Sequence, residues 1–232
     1  MEAIILAGGK AERLGDAAAG RPKALVEIAD RPLAAYQVEQ LAAAAVDRVL
    51  VSCAAGQEGL FESELGEIGP EIVAVAEPEP LGRGGGIRFA ASKRREEGAV
   101  YALNGDELVD VDLLRLLELH CEHEPAATIT VVPLRSPFGV VELEDDVVTG
   151  FREAPQLDHW VNCGVYVLGE EALERLPERG DHETTTFPEL AAERRLRAHR
   201  HEGLWLTVNT PKDLRLAEEH LAANPGWPVR SR

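Results

Sequence analysis

The chain has 232 residues, 45% of them hydrophobic, and a formal net charge of −17 at pH 7. That acidity excludes nucleic acid or an anionic membrane surface as the main partner, because both would repel it. No apolar run approaches the roughly 20 residues that span a bilayer. The start of the sequence carries no charged-then-apolar leader, so a soluble, cytoplasmic protein is expected. The length suits one sizeable core, and a single domain over 1–232 is expected. Cys53, Cys121 and Cys163 are odd in number and lack metal-ligand spacing, which predicts small buried thiols in a reducing compartment.

In chain order, Ala3–Ala7 is a short apolar run with two isoleucines that stops at Gly8-Gly9, a buried strand feeding a turn. Residues 31–45 carry Leu33, Tyr36, Val38 and Leu41 at helical spacing, and Arg48–Ser52 is a second buried strand. A helix is expected over Glu58–Leu65, a strand over Ile72–Ala76, and a loop rich in proline and glycine from Glu77 to Gly86. A helix then follows from Ile87 to Arg95, a strand from Ala99 to Leu103, and a helix from Leu113 to His120, with Asp110 and Asp112 as its caps. This alternation is the rhythm of a parallel sheet. From Ala127 the pattern becomes strand-rich, with Thr128–Leu134, Phe138–Leu143, Val147–Arg152 and Val161–Leu168. Thr186-Phe187-Pro188 opens a further helix. Thr210-Pro211 starts the last one, as N-cap and first helical residue.

Three stretches carry chemistry. Gly8 and Gly9 lack Cβ, so the backbone can take positive φ and a ligand can approach its N–H groups, as phosphate-cradling loops require. Arg13 and Lys23 add a planar fork and a mobile point charge at the same strand end, a set suited to a triphosphate. The loop Glu77-Pro-Glu-Pro-Leu-Gly82-Arg-Gly-Gly-Gly86 is stiff at its start and approachable at its end, and reads either as base recognition or as a close-packed helix entry. Asp106, just past a strand that points at the phosphate site, suits a hard divalent cation; a turn or N-cap aspartate is the other reading of Asn-Gly-Asp.

Together these residues resemble the sugar-1-phosphate nucleotidylyltransferases. That family's L-x-G-G-x-G-T-R-L and P-K-x-L elements match Leu6 to Leu14 and Pro22 to Leu25, and Arg13 and Lys23 keep the family's spacing. Ala11 stands in place of the third glycine, and Gly15-Asp-Ala-Ala18 replaces proline-leucine-threonine. The resemblance implies an α/β, Rossmann-like αβα sandwich with a mixed, mostly parallel sheet, the glycosyltransferase-A-like nucleotidyltransferase fold. It assigns 1–125 to a nucleotide-binding half, 126–221 to a sugar-binding half and 222–232 to a C-terminal tail. Arg13, Lys23 and Asp106 become the catalytic set, with Mg²⁺ on Asp106. Leu6, Ala7, Gly8, Gly9, Glu77 and Gly82 become the nucleotide site, with Glu77 at the residue that reads the base edge. A carboxylate accepts two hydrogen bonds where guanine offers two adjacent donors, so Glu77 leans toward GTP; backbone groups from Leu6 to Gly8 and at Gly82 can also read a base.

Phe138-Gly139-Val-Val, Gly150-Phe-Arg-Glu153-Ala-Pro155 and Asn162-Cys-Gly-Val-Tyr166 resemble the sugar-pocket motifs, which implies Gly139, Glu153 and Asn162 as sugar ligands; Glu153 and Asn162 read equally as satisfied structural polar residues. Two positions depart from the pattern. Ala154 replaces the lysine that contacts the sugar phosphate, leaving Arg152 as one source of charge. Thr207 replaces the second metal aspartate, leaving Asn209, Glu107 or water to complete the shell. The implied reaction is nucleotidyl transfer from an NTP to a sugar 1-phosphate with release of pyrophosphate. The likeness is greatest to short guanylyltransferases acting on mannose or manno-heptose 1-phosphate. A uridylyltransferase acting on an amino-sugar 1-phosphate is the alternative, and a regulatory relative that binds nucleotide sugar is a third reading. The left-handed β-helix that longer relatives carry is not expected within these 232 residues. A monomer or homodimer is expected, with no nucleic-acid or membrane partner.

Overall fold

A computed structural model describes residues 1–9, 11–18, 20–224 and 226–227, with the backbone alone at Asp16 and Ala17. The elements in order are β1 (Glu2–Leu6), 3-10 turns at Glu12–Ala18 and Lys23–Leu25, the two-residue strands β2 (Glu27–Ile28) and β3 (Arg31–Pro32), α1 (Leu33–Ala43), β4 (Arg48–Ala54), α2 (Glu58–Leu65), β5 (Glu71–Glu77) and α3 (Gly82–Ala91). There follow β6 (Val100–Asn104), β7 (Glu107–Val109), α4 (Leu113–His123), β8 (Ala127–Arg135), β9 (Val140–Glu144), β10 (Val147–Arg152) and β11 (Gln156–Leu168). The chain continues through α5 (Glu170–Arg175), α6 (Thr186–Ala192), β12 (Leu196–Arg200), β13 (Trp205–Thr207) and α7 (Pro211–Ala223).

Seven strands form one sheet in the order β12-β8-β11-β6-β1-β4-β5. β1 lies parallel to β4 and β6, β4 to β5, and β8 to β12, while β11 runs antiparallel to β6 and β8. The sheet is therefore mixed and mostly parallel. The period of two decides what covers each face. Ala3, Ile5, Val49, Val51, Tyr101 and Leu103 point to one side, where α1, α2 and α4 bring Val38, Leu41, Phe61, Leu65 and Leu116. Ile4, Leu50, Val100, Ala102 and Tyr166 point to the other, against Ile87 and Ala90 of α3, Leu173 of α5 and Leu190 of α6. Helices thus cover both faces, giving the αβα layering. Each fully buried Ile or Leu here contributes roughly 1.5–3 kcal/mol of transfer free energy. A third cluster joins Leu14, Val26, Ile28, Leu33 and Tyr36 to Leu108, Val208 and the α7 residues Ala217 and Leu221, so the last helix closes over the first loop.

The structure alters several expectations. α3 begins at Gly82, not Ile87, and ends at Ala91. The glycine run is helical because the segment 177–182 lies against it. A Cβ on Gly84 would stand 2.8 Å from the His182 backbone nitrogen and 2.8 Å from Pro177 Cγ, and one on Gly85 2.6 Å from the Glu178 carbonyl oxygen. Asp112 caps α4 by accepting from the Arg115 N–H at 3.0 Å. Asp110 does not cap it; its Oδ1 accepts from the Leu204 N–H at 2.6 Å and meets His201 Nε2 at 2.7 Å, tying the end of β7 to the approach to β13. α5 and β12 had no expectation. Cys53 and Cys163 are buried, and burial pushes both thiols up to about 12, but Cys121 is exposed on α4. Among the described residues no helix is long and apolar enough to cross a membrane. Of the tail placed at 222–232, Pro225 and residues 228–232 lie outside the described residues.

Candidate active site

The carboxyl ends of β1, β4, β5 and β6 open on one edge of the sheet, the place where parallel sheets leave backbone groups and loops free for a ligand. A cavity of about 840 Å³ lies there. Its walls include Leu6, Ala7, Gly8 and Gly9 after β1, Arg21 and Lys23 from the following loop, Glu77 and Gly82 flanking the turn after β5, and Asp106 and Glu107 after β6. Residues expected at the nucleotide site therefore share one cavity. Neither Gly8 nor Gly9 has positive φ, so glycine serves there for close approach and not for a left-handed turn.

Lys23 and Asp106, both in its wall, meet two further expected site residues, Arg13 and Asn209. Lys23 Nζ donates to Asp106 Oδ2 at 2.6 Å and to Asn209 Oδ1 at 2.5 Å. Arg13 Nη2 donates to the same Asn209 oxygen at 3.4 Å. Lys23 is only 8% exposed, a burial that an ammonium tolerates because it is paired and hydrogen-bonded. Each member is set by a local device. Lys23 sits on a 3-10 turn whose backbone N–H reaches the Gly9 carbonyl at 3.4 Å. Asp106 follows Gly105, whose N–H bonds the Leu6 carbonyl at 2.9 Å. A Cβ at Gly105 would fall 2.4 Å from that oxygen, so no other residue lets this loop close on β1. Asn209 precedes α7, where Asp213 Oδ2 accepts from the Asn209 N–H at 3.1 Å and the Thr210 N–H at 2.8 Å.

Glu107 takes a different direction from Asp106. Its Oε2 accepts from Trp205 Nε1 at 3.0 Å and its Oε1 from Asn104 Nδ2 at 3.3 Å. Burial, with the neighbouring Asp106 charge adding to it, pushes the Glu107 carboxyl up to about 7. Asn209, and not Glu107, thus shares a cation with Asp106. Both donors are hard oxygens converging on one positive charge, which fits a small divalent cation that keeps several waters. Among the described residues no three His, Cys, Asp or Glu side chains gather as a metal cage.

Glu77 ends β5 and holds the turn that follows it. Its Oε1 accepts from Ser52 Oγ at 2.7 Å and its Oε2 from the Leu81 N–H at 2.9 Å. One lone pair on each oxygen is therefore committed, Oε1 to Ser52 of β4 and Oε2 to the 78–81 turn. The residues expected at the sugar, Gly139, Glu153 and Asn162, do not line this cavity. Gly139 lies against the Phe151 ring, with the exposed Glu153 alongside: a Cβ at Gly139 would stand 2.5 Å from Phe151 Cζ and 3.1 Å from Glu153 Oε2. Asn162 on β11 spends both amide hydrogens, on Tyr166 Oη and Glu183 Oε1, each at 2.7 Å, and its oxygen accepts from the Gly164 N–H at 3.1 Å. Arg152 pairs with Glu142 at 3.3 Å across the β9–β10 hairpin.

Sequence reasoning missed Arg21, Ser52, Arg83 and the pair Asp181 and Glu183. Arg83, in the cavity wall, donates through Nε to Asp181 Oδ2 at 2.8 Å and lies 2.7 Å from Glu183 Oε2. Its place inside the glycine run was visible; its partners, about a hundred residues on, gave no periodic signal.

The nucleotidyl transferase family model matches residues 2–224. The chain is 33% identical over 228 residues to mannose-1-phosphate guanylyltransferase 1 of Arabidopsis thaliana, covering 92% of this chain and 62% of that one. It is 31% identical over 226 residues to mannose-1-phosphate guanylyltransferase of Mycobacterium tuberculosis, with coverages of 92% and 62%. To the catalytic subunit beta of that enzyme from Drosophila melanogaster it is 29% identical, with coverages of 91% and 60%. It thus spans about three fifths of the length of these curated relatives. Among solved structures, HddC from Yersinia pseudotuberculosis complexed with GMP-PN superposes with a TM-score of 0.72 at 22% identity, covering 95% of this chain and 99% of that one. A Bacillus anthracis protein titled a putative glucose-1-phosphate thymidylyltransferase reaches 0.78 at 17% identity, with coverages of 100% and 98%. These likenesses fix the shared fold, and the family match fixes the membership: the chain belongs to the nucleotidyl transferase family.

Proposed function

We propose that the protein transfers a nucleoside monophosphate, GMP by preference, from an NTP to a sugar 1-phosphate of the mannose or manno-heptose type, forming an NDP-sugar and pyrophosphate. The observation that carries this reading is the convergence of Lys23, Arg13, Asp106 and Asn209, with Lys23 and Asp106 in the wall of the cavity that Gly8 and Gly9 also line. Two cations next to approachable backbone suit a polyphosphate. The relatives named above as mannose-1-phosphate guanylyltransferases support the choice of guanine and mannose.

In this reading a phosphate oxygen of the sugar 1-phosphate attacks the α-phosphorus in line, and the bond to the bridging oxygen of the β-phosphate breaks. The nucleophile is already ionised, so no side chain need remove a proton. Lys23, released from Asp106, would bridge toward the α-phosphate and the incoming phosphate, and Arg13 would hold the leaving pyrophosphate. Positioning and charge neutralisation then supply most of the rate. Asp106 and Asn209 would hold Mg²⁺, which when bound supplies further neutralisation of phosphate charge. Glu77 would present its remaining lone pairs to the guanine edge. Gly139 and Glu153 would meet the sugar, and Asn162 would act through Glu183. We place the reaction in the cytoplasm, with a monomer or homodimer as the working unit.

The test is pyrophosphate release and NDP-sugar formation with GTP, UTP, ATP and dTTP, each crossed with a panel of sugar 1-phosphates. GTP with a mannose-type acceptor should give the highest kcat/KM. Release no greater than the enzyme-free blank for every pair would overturn the reading.

A further inference from the structure

We infer that in the metal-free protein the Lys23 ammonium occupies the oxygen pair meant for a divalent cation, so that Lys23 and the metal bind there in alternation. The inference rests on the site read above and concerns its order of loading. Asp106 Oδ2 and Asn209 Oδ1 both lie at hydrogen-bond distance from Nζ, at 2.6 and 2.5 Å. A Mg²⁺ or Mn²⁺ ion would need the same oxygens at about 2.1 Å. Two like charges that close oppose each other strongly even with protein screening, and Arg13 adds a third positive group on the Asn209 oxygen.

The charge balance favours the lysine while phosphate is absent. The pair offers one carboxylate and one neutral amide, and Lys23 already matches the single negative charge. The ammonium is held inside the protein, its side chain 11% exposed against 33% for Asp106, so it cannot simply swing into water without losing both bonds. A triphosphate changes the balance. Its oxygens give Lys23 a new partner on the cavity side, and the Asp106–Asn209 pair is freed for the metal that accompanies the nucleotide. The lysine thereby balances the Asp106 charge before the metal arrives and couples metal entry to nucleotide entry. One residue would serve as internal counter-ion before substrate arrives and as phosphate ligand afterwards.

The experiment is Mn²⁺ binding to the nucleotide-free protein, read by the paramagnetic signal of free Mn²⁺ and by calorimetry. Lys23→Met should bind Mn²⁺ at least about tenfold more tightly than the parent, the factor that about 1.4 kcal/mol corresponds to. Lys23→Arg, which keeps the charge, should stay near the parent. Lys23→Met with Asp106→Asn should lose the gain. An affinity for Lys23→Met within twofold of the parent would overturn the inference, as would equal tightening by Lys23→Arg. If Lys23→Met does not fold, amine labelling of the parent decides. A Mn²⁺ titration should raise the labelling of Lys23 relative to Lys93 and Lys212, and unchanged or reduced labelling of Lys23 throughout would overturn the inference. No turnover enters these readouts. A parent that forms NDP-sugar while Lys23→Met gains no affinity sinks the alternation alone, whereas tightening without turnover in any substrate pair sinks the proposed reaction alone.

Discussion

His182 should make the protein acid-labile through one identifiable seam. The ring is fully buried, and among the described residues neither ring nitrogen has a hydrogen-bond partner. It packs edge-on against Phe187 and Tyr166, with ring centroids 4.7 and 5.4 Å away. Burial pulls its pKa from 6.5 down to about 4; Asp181 opposes the shift and Arg83 adds to it. Because the folded value is depressed, the unfolded chain takes a proton that the native state refuses. Stability is therefore unaffected above about pH 7 and falls as the pH drops from 6.5 toward 4. Linkage gives a loss of about 2 kcal/mol by pH 5 and about 3 by pH 4. Carboxylates titrate in the same range, so the comparison must be differential. Urea unfolding of the parent and His182→Leu between pH 7.5 and 5 should show the variant gaining about 2 kcal/mol on the parent across that interval. Parallel pH profiles would refute the reasoning and mean that the ring takes up its proton without opening the 177–182 segment.

Arg13→Ala should lower turnover more than a hundredfold, because a cation aimed at developing phosphate charge is commonly worth about 3 kcal/mol or more. Arg13 is exposed, so its melting temperature should match the parent's, and steady-state kinetics beside a thermal melt checks both. Glu77→Gln should narrow the preference for GTP over UTP and also cost about 1–2 kcal/mol of stability. One of the two acceptors holding Ser52 and the Leu81 N–H becomes a donor, so competition kinetics must be paired with denaturant unfolding. Gly84→Ala should destabilise by about 1–3 kcal/mol, despite the gain of about 1 that alanine brings to a helix interior. Its Cβ would meet the His182 backbone nitrogen and the Pro177 ring, and urea unfolding measures the cost.

What the sequence disclosed follows from how local each signal is. The sheet core was legible because the run Ala3 to Ala7, the run Arg48 to Ser52 and the alternating helices each declare themselves within a window of about ten residues. Lys23 and Asp106, which the structure pairs in one cavity wall, stood out because Pro22 precedes the one and Gly105 the other. The fate of Glu77 and Asn162 was not legible. Both are polar residues at the expected positions, yet Asn162 spends both amide hydrogens on Tyr166 and Glu183, and Glu77 commits one lone pair of each oxygen to Ser52 and Leu81; such pairing is a property of neighbours brought in by the fold. The early start of α3 was hidden for the same reason. A run of glycines disfavours a helix by propensity, and only the segment 177–182 lying on it shows why side chains are excluded there. β12 is an edge strand with mostly exposed residues, so it lacks the alternation that betrays a half-buried one.

Asn209 shows how a structural signal and a chemical one can be the same residues read twice. Thr207-Val-Asn-Thr-Pro-Lys-Asp213 announces a helix start, and the cap forms as expected: Thr210 Oγ1 accepts from the Asp213 N–H, while the Asp213 carboxylate accepts from the Asn209 and Thr210 N–H groups. That second bond fixes the backbone of Asn209 at the mouth of α7. Val208, buried beside it, bonds the Asp106 carbonyl through its N–H at 2.9 Å, so the two loops are stitched together backbone to backbone. With both backbones held, the Asn209 amide oxygen and the Asp106 carboxylate face one point, and Lys23 fills it. Thr207 lies one step outside this stitch, paired with Glu107 in the β7–β13 ladder. The local geometry therefore gives Lys23 its second oxygen partner from Asn209, two residues beyond Thr207, where the family pattern has an aspartate.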